Sequence, residues 1–259
     1  MKLKWYKTAA VMLESEGYRL VFDPFLGMPL KADPVLRESM SGAFRSADAV
    51  LVTHGHFDHI RDIPRIYQNS NIEIYATKTP CKTLRSRGVE MKKLRCIAPG
   101  AELTLGGFTV RVYQGRHCKF DFGVARKTIF KSDTLLHLDR LIKLWKLNKR
   151  YPENGETLFY EIEAEGKRVQ LMGSMGLDMT VDYPTGADVL ILPFQGTGNP
   201  SATVAPIIER LQPKAIYLDH YDDTFPPLSS QVPTVGFMRK MTARGVPTAA
   251  LRYGRSYTI

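Results

Sequence analysis

Five of the six histidines in this 259-residue chain fall where a strand is expected to end, and three of them share a six-residue stretch with an aspartate: His54, His56, Asp58 and His59. His117 follows a second expected strand and His220 a third. Imidazole and carboxylate are borderline donors that zinc accepts, as do manganese and iron. On an extended segment, alternation puts His54 and His56 on one side. A turn after them brings Asp58 and His59 beside a second ion. A lone histidine is usually a satisfied core or surface residue, but this density of donors is a metal-ligand pattern. His137, by contrast, reads as an ordinary helix-surface histidine.

The elements that must position these donors read as alternating strands, turns and helices. Thr8 to Glu14 and Tyr18 to Asp23 form an expected hairpin about Glu16-Gly17. A loop or short helix covers Asp33 to Phe44. Ala49-Val50-Leu51-Val52 is an apolar strand of the buried kind that runs directly into Thr53 and His54. Ile72 to Ala76 and Phe108 to Tyr113 are further strands, with a helix over Thr79 to Arg87. The second half repeats the grammar. Leu158 to Ala164 and Arg168 to Met172 pair as a hairpin. Asp188 to Leu192 and Ala215 to Leu218 are strands, and Thr248 to Arg252 is the last one. Val204 to Leu211 and Val235 to Arg244 are helices. Strands mixed with helices at this spacing predict sheets covered by helices in one domain over residues 1–259. Within it, residues 118–152 form a basic insert that is helical from Ser132 to Arg150.

Thr53 to His59 matches the H-x-H-x-D-H pattern of the metallo-β-lactamase superfamily. Phe22-Asp23-Pro24 resembles the early Asp-Pro of its branch containing L-ascorbate-6-phosphate lactonase. His117, the Ala187 to Pro193 strand and His220 stand where that family's later elements are expected, so the resemblance spans about residues 5 to 255 apart from the insert. It implies an α/β fold, the αββα sandwich, with metals at one edge between two sheets. It also implies that His54, His56 and His117 bind one ion and that Asp58, His59 and His220 bind another. Zinc is the expected metal, with manganese or iron as alternatives. Coordination lowers the pKa of bound water to about 7 for zinc, and the hydroxide attacks an ester, lactone or phosphodiester. The metals stabilise the developing oxyanion. Asp58 and His220 carry the implied catalytic roles, Asp58 by orienting the nucleophile or shuttling a proton. Asp23 is expected to hold a ligand histidine from behind.

One position departs from the family pattern. Where a bridging Asp follows Gly, this chain has Gly173-Ser174. A neutral serine is a poor ligand, so one tightly held metal and a weak second one are expected. Asp178, four residues on, is the nearest carboxylate but is not the favoured replacement. Gln195, in the loop after a buried strand, is expected to face substrate, and Cys118 to point away from the site as a packing residue.

Composition limits the rest. Hydrophobic residues make up 44% of the chain, which excludes a disordered polymer. Apolar runs such as Val189 to Phe194 fall far short of the ~20 residues a bilayer-spanning helix needs. The amino end does not resemble a secretory signal, and Cys81, Cys96 and Cys118 form no disulfide framework, so a cytoplasmic location is expected. The net charge of +10 is local: Lys82 to Arg95 holds six basic residues and one acidic, and Arg116 to Arg150 holds ten and three. Such concentration suggests either an anionic partner or simply a solvated basic face. The leading expectation is a metal-dependent hydrolase of a small anionic ester, lactone or phosphodiester. The alternatives are a nucleic-acid phosphodiesterase and a non-catalytic metal-binding protein with a degenerate bridging position. The insert is expected to pack on the body or at a homo-oligomer interface. A membrane surface is permitted by its amphipathic basic helix but is not the favoured partner.

Overall fold

The computed structural model describes residues 1–27, 33–118, 138–225 and 229–259. The first sheet is built from β1 (Lys2–Trp5), β2 (Val11–Ser15), β3 (Tyr18–Phe22), β4 (Ala49–Leu51), β5 (Glu73–Ala76) and β6 (Leu94–Cys96), closed at its edge by β14 (Ser256–Thr258). The second is built from β7 (Glu102–Leu105), β8 (Phe108–Gln114), β9 (Leu158–Ala164), β10 (Lys167–Met172), β11 (Val189–Pro193), β12 (Ile216–Asp219) and β13 (Thr248–Ala250). Each sheet begins with antiparallel hairpins and finishes with parallel strands. The parallel steps need crossovers, which helices supply everywhere except between β10 and β11, where residues 173–188 cross without one.

Those helices are α1 (Pro34–Arg45), the short α2 (Phe57–Ile60) and α3 (Ile63–Ile66), α4 (Lys78–Ser86), α5 (Leu138–Arg150), α6 (Pro200–Leu211) and α7 (Val235–Ala243). The segment at 33–45 is a helix because Asp33 caps it, its side chain accepting the Val35 amide, and Pro34 opens the first turn. Asn199 and Pro200 start α6 in the same way, through the Ala202 amide.

The central strands of the first sheet are buried on both faces. Leu13, Leu20, Phe22 and Leu51 join the cluster shared with the second sheet, while Met12, Val21 and Val50 join one with Phe44, Ile60, Ile63 and Leu84 from the helices. This two-sided burial is why β4 is apolar at every position. Val204, Ile207, Leu211, Phe237 and Met241 of α6 and α7 complete the inter-sheet cluster from the far side. The result is the expected sandwich of two sheets between helical layers.

Several boundaries differ from the sequence reading. Lys7 and Thr8 lie in a left-handed turn, with φ of 77° and 48°, so β2 starts at Val11 rather than at Thr8. The strand at Thr248 is not the last, because β14 follows and pairs antiparallel with β1. β1, β6 and β7 were not expected either; these three and β14 are only three or four residues long and carry exposed residues. The start of the insert helix at Ser132 lies outside the described residues. Among these, no helix is long and apolar enough to cross a membrane.

Candidate metal centre

The histidine motif leaves β4 as extended chain and then turns. The Leu158 amide donates to the Thr53 carbonyl at 2.8 Å and pins the start of the loop to the second sheet. The amides of His59 and Ile60 donate to the His56 carbonyl at 3.0 and 3.2 Å, which makes His56 the cap of α2. His54 and His56 therefore project from extended backbone, and Asp58 and His59 from a helical turn. The loop is packed tightly at Gly55 and opposite Gly173. A Cβ on Gly55 would meet the Pro152 carbonyl oxygen at 2.2 Å, and one on Gly173 would meet Thr53 Cβ at 2.5 Å.

Two donor groups result, His54 with His56 and His117, and Asp58 with His59 and His220, the ligand atoms in each lying within 4.8 Å of one another. Hydrogen bonds set which nitrogens face inward. The Thr53 hydroxyl donates to Asp23 Oδ2 at 2.6 Å, so at 3.0 Å from His54 Nδ1 it can only accept. His54 Nδ1 carries the proton, and Nε2 is left open 3.2 Å from His56 Nδ1. His59 Nδ1 donates to Asp23 Oδ2 at 2.8 Å, and His117 Nδ1 to the Cys118 carbonyl at 2.9 Å, which leaves Nε2 open on each ring. His220 Nε2 lies 3.4 Å from Asp58 Oδ2. Outer-shell bonds of this kind fix ring orientation in metal sites.

Burial decides the charge states. It holds His54 well below the ordinary histidine range, assisted by the neighbouring His59 and His56, and lowers His56 to about 4. Both rings are neutral, the form that binds a metal. Burial alone would raise the Asp58 carboxyl, but His59 and His220 outweigh it and keep Asp58 ionised. His220 moves the other way: burial opposes its charge, yet the Asp58 carboxylate raises it to about 9. Five imidazoles and one ionised carboxylate, facing one another, fit one or two transition-metal ions. His54, Asp58 and His59 are buried, while His56, His117 and His220 are half-buried, so the centre opens to solvent past those three rings.

Asp23 is fully buried and holds both the Thr53 amide, at 2.8 Å, and His59. Thr53 was not singled out in the sequence, yet it is the hub that links Asp23, His54 and His59; its place directly before the motif was the available signal. Ser174 is buried, and its hydroxyl accepts the Cys118 amide at 3.1 Å. Cys118 is not on a strand, because β8 ends at Gln114, but it packs against the inter-sheet cluster as expected, with its Sγ 4.0 Å from His117 Nδ1, the nitrogen on the far side of the ring from the open one. Asp178 does not reach back: its carboxylate takes the Thr180 hydroxyl at 2.7 Å and Arg116 at 3.3 Å. The Gln195 amide nitrogen donates to the carbonyls of Asp222 and Ser230, both at 3.2 Å, which ties two loops together instead of presenting that group to substrate. His137 lies outside the described residues.

Comparison with known proteins gives the family. The chain is 28% identical over 236 residues to a UPF0173 metal-dependent hydrolase of Geobacillus thermodenitrificans, covering 88% of each. It spans only 48% of several other curated relatives of that name, over 117 residues. Its fold is similar to that of Igni18, a metallo hydrolase from Ignicoccus hospitalis, with a TM-score of 0.67 at 19% identity over 100% of this chain and 98% of that one. It is also similar to Zn(2+)-bound PqqB from Methylobacterium extorquens, with a TM-score of 0.62 at 16% identity over 98% and 88%. A family model described as Beta-lactamase superfamily domain matches residues 18–221, which carry every donor of both groups, and the chain belongs to that family.

Proposed function

We propose that this protein is a metal-dependent hydrolase that cleaves a small anionic ester, lactone or phosphodiester. The observation that carries the reading is the pair of facing donor groups, His54, His56 and His117 against Asp58, His59 and His220. Zinc is the metal this donor set favours, with manganese and iron as alternatives. A divalent ion bound there lowers the pKa of a coordinated water and neutralises charge developing on a substrate oxygen.

The chain's own residues supply the rest. Asp58, held ionised, accepts a proton from the attacking water at a carboxylate oxygen. His220, 3.4 Å away at Nε2, stabilises that carboxylate. Asp23 and Thr53 hold His54 and His59 in the tautomers that leave Nε2 open. The half-buried rings of His56, His117 and His220 border the entrance, and the chain's excess of positive charge favours an anionic substrate.

Metal-loaded protein assayed against an aryl phosphodiester, a phosphorylated lactone and a neutral ester tests the reading. The two anionic substrates should turn over, and the combined replacement His54→Ala/His56→Ala should abolish both turnover and metal content. Full metal content in that double variant would refute the site. Turnover of the neutral ester alone would refute the substrate class.

A further inference from the structure

Helix α5 is half buried and half abandoned to water. Leu144 and Leu147 turn onto the cluster that contains Phe57 and Tyr151. On the outer side Ile142 is 50% exposed and Trp145 57% exposed. Residues three apart are neighbours on a helix surface, so these two form one apolar spot. Lys143, Lys146, Lys149 and Arg150 are exposed around it, and the Lys149 ammonium lies 3.7 Å from the centre of the Trp145 ring. Asp139 is the helix's acid, and Lys143 stands 3.6 Å from it. Arg87 extends the cationic rim: it donates to the Arg150 carbonyl at 3.4 Å and stacks on Tyr151 at 3.9 Å.

We propose that the outer face of α5 docks on an anionic phospholipid bilayer, with Ile142 and Trp145 entering the interface and the surrounding cations meeting the headgroups. Tryptophan favours that depth because its ring is apolar and its N–H is polar. Lysine and arginine are drawn to anionic leaflets, and a basic amphipathic helix lies in the plane of the surface. The other occupants fit less well. A second copy meeting this face across a two-fold axis would set lysines against lysines. A nucleic acid would neutralise the cations but give Ile142 nothing apolar to bury against. The docked helix also continues directly into the backbone that packs on the metal loop, since Pro152, two residues beyond α5, lies over Gly55.

The molecule carries its own reporter. Of the two tryptophans, Trp5 is buried at 3% exposure, so a change in emission comes from Trp145. The full chain is mixed with phosphatidylcholine vesicles with and without phosphatidylglycerol. Co-sedimentation and a blue shift are expected only with phosphatidylglycerol, weakening by roughly tenfold or more as salt is raised. Brominated lipid should quench the emission, a measurement that needs no variant. Ile142→Ser/Trp145→Ala and Lys146→Glu/Lys149→Glu, checked for folding by circular dichroism, should each reduce sedimentation by roughly tenfold. Absence of binding to the mixed vesicles would overturn the proposal, as would binding unchanged in both variants. Binding of polyuridylate without vesicle binding would assign the face to nucleic acid instead. A dimer that becomes a monomer in the Ile142→Ser/Trp145→Ala variant would assign it to a second copy.

Discussion

The carboxylate of Asp23 lies 2.8 Å from His59 Nδ1 and at the same time accepts the amide and the hydroxyl of Thr53, at 2.8 and 2.6 Å. Asp23 does this from a left-handed backbone position, φ 47°, directly after β3. One fully buried side chain thus orients a donor of the second group and, through Thr53, a donor of the first. Asp23→Asn keeps the shape and tolerates the backbone, but it loses the charge and one acceptor. Metal affinity should fall by about 10–100-fold. The metal-free fold should lose about 1–3 kcal/mol. Zinc titration with a competing chelator and urea unfolding measure the two effects separately.

Gly55 separates the first two histidines because the backbone of the segment after α5 presses against it. Its added Cβ would come within 2.2 Å of a carbonyl oxygen, and a backbone atom cannot swing aside as a side chain can. Gly55→Ala should therefore displace either the metal loop or Pro152. Overpacking of this kind costs about 1–3 kcal/mol. Thermal unfolding and metal content should both drop, whereas Gly42→Ala, at an exposed position inside α1 with open space around it, should leave metal content unchanged and raise the unfolding temperature slightly.

Ser174 occupies the place of a bridging carboxylate, and neither Asp178 nor any other described residue completes the two donor groups with a further acid. Two divalent ions repel strongly without an anion between them. The protein should bind one metal tightly and a second weakly. Ser174→Asp should bring stoichiometry towards two per chain, with a tighter second step in calorimetric titration. Its carboxylate can still accept the Cys118 amide that the hydroxyl now takes. Two equally tight sites in the unmutated protein would contradict this.

Glu156 ties the start of α4 to the segment before β9, accepting the amide and hydroxyl of Thr79 at 2.8 and 2.6 Å. Burial alone would raise its carboxyl, but these two bonds outweigh it and hold the carboxyl below the usual range. Its folded pKa is depressed, so its contribution to stability is full above the unfolded value of about 4.3. That contribution is lost as pH falls through the folded value. Glu156→Gln should be less stable than the parent at pH 7, and the difference should shrink as the solution is acidified below pH 4. Urea midpoints measured across that range give the curve; a gap independent of pH would show that the charge is not responsible.

The candidate donors were legible in the sequence because a donor motif is a local property. His54, His56, Asp58 and His59 follow a strand whose burial on both faces makes it apolar at every position, and one turn of chain suffices to split them into two groups. His117 and His220 were legible because they too close strands. What Asp178 does instead was not legible: its partner Arg116 is 62 residues away, and nothing local to either residue announces the pair. The same holds for the reach of Asp23 across 30 residues to Thr53, for Pro152 over Gly55, and for the pairing of β14 with β1. Short edge strands bury too little to leave a periodic pattern. Side-chain partners and close approaches between distant segments exist only once the two sheets have packed. The sequence determined which groups could hold a metal; the assembled sandwich decided which nitrogen each ring presents, which carboxylates are already engaged, and which face of α5 is left to water.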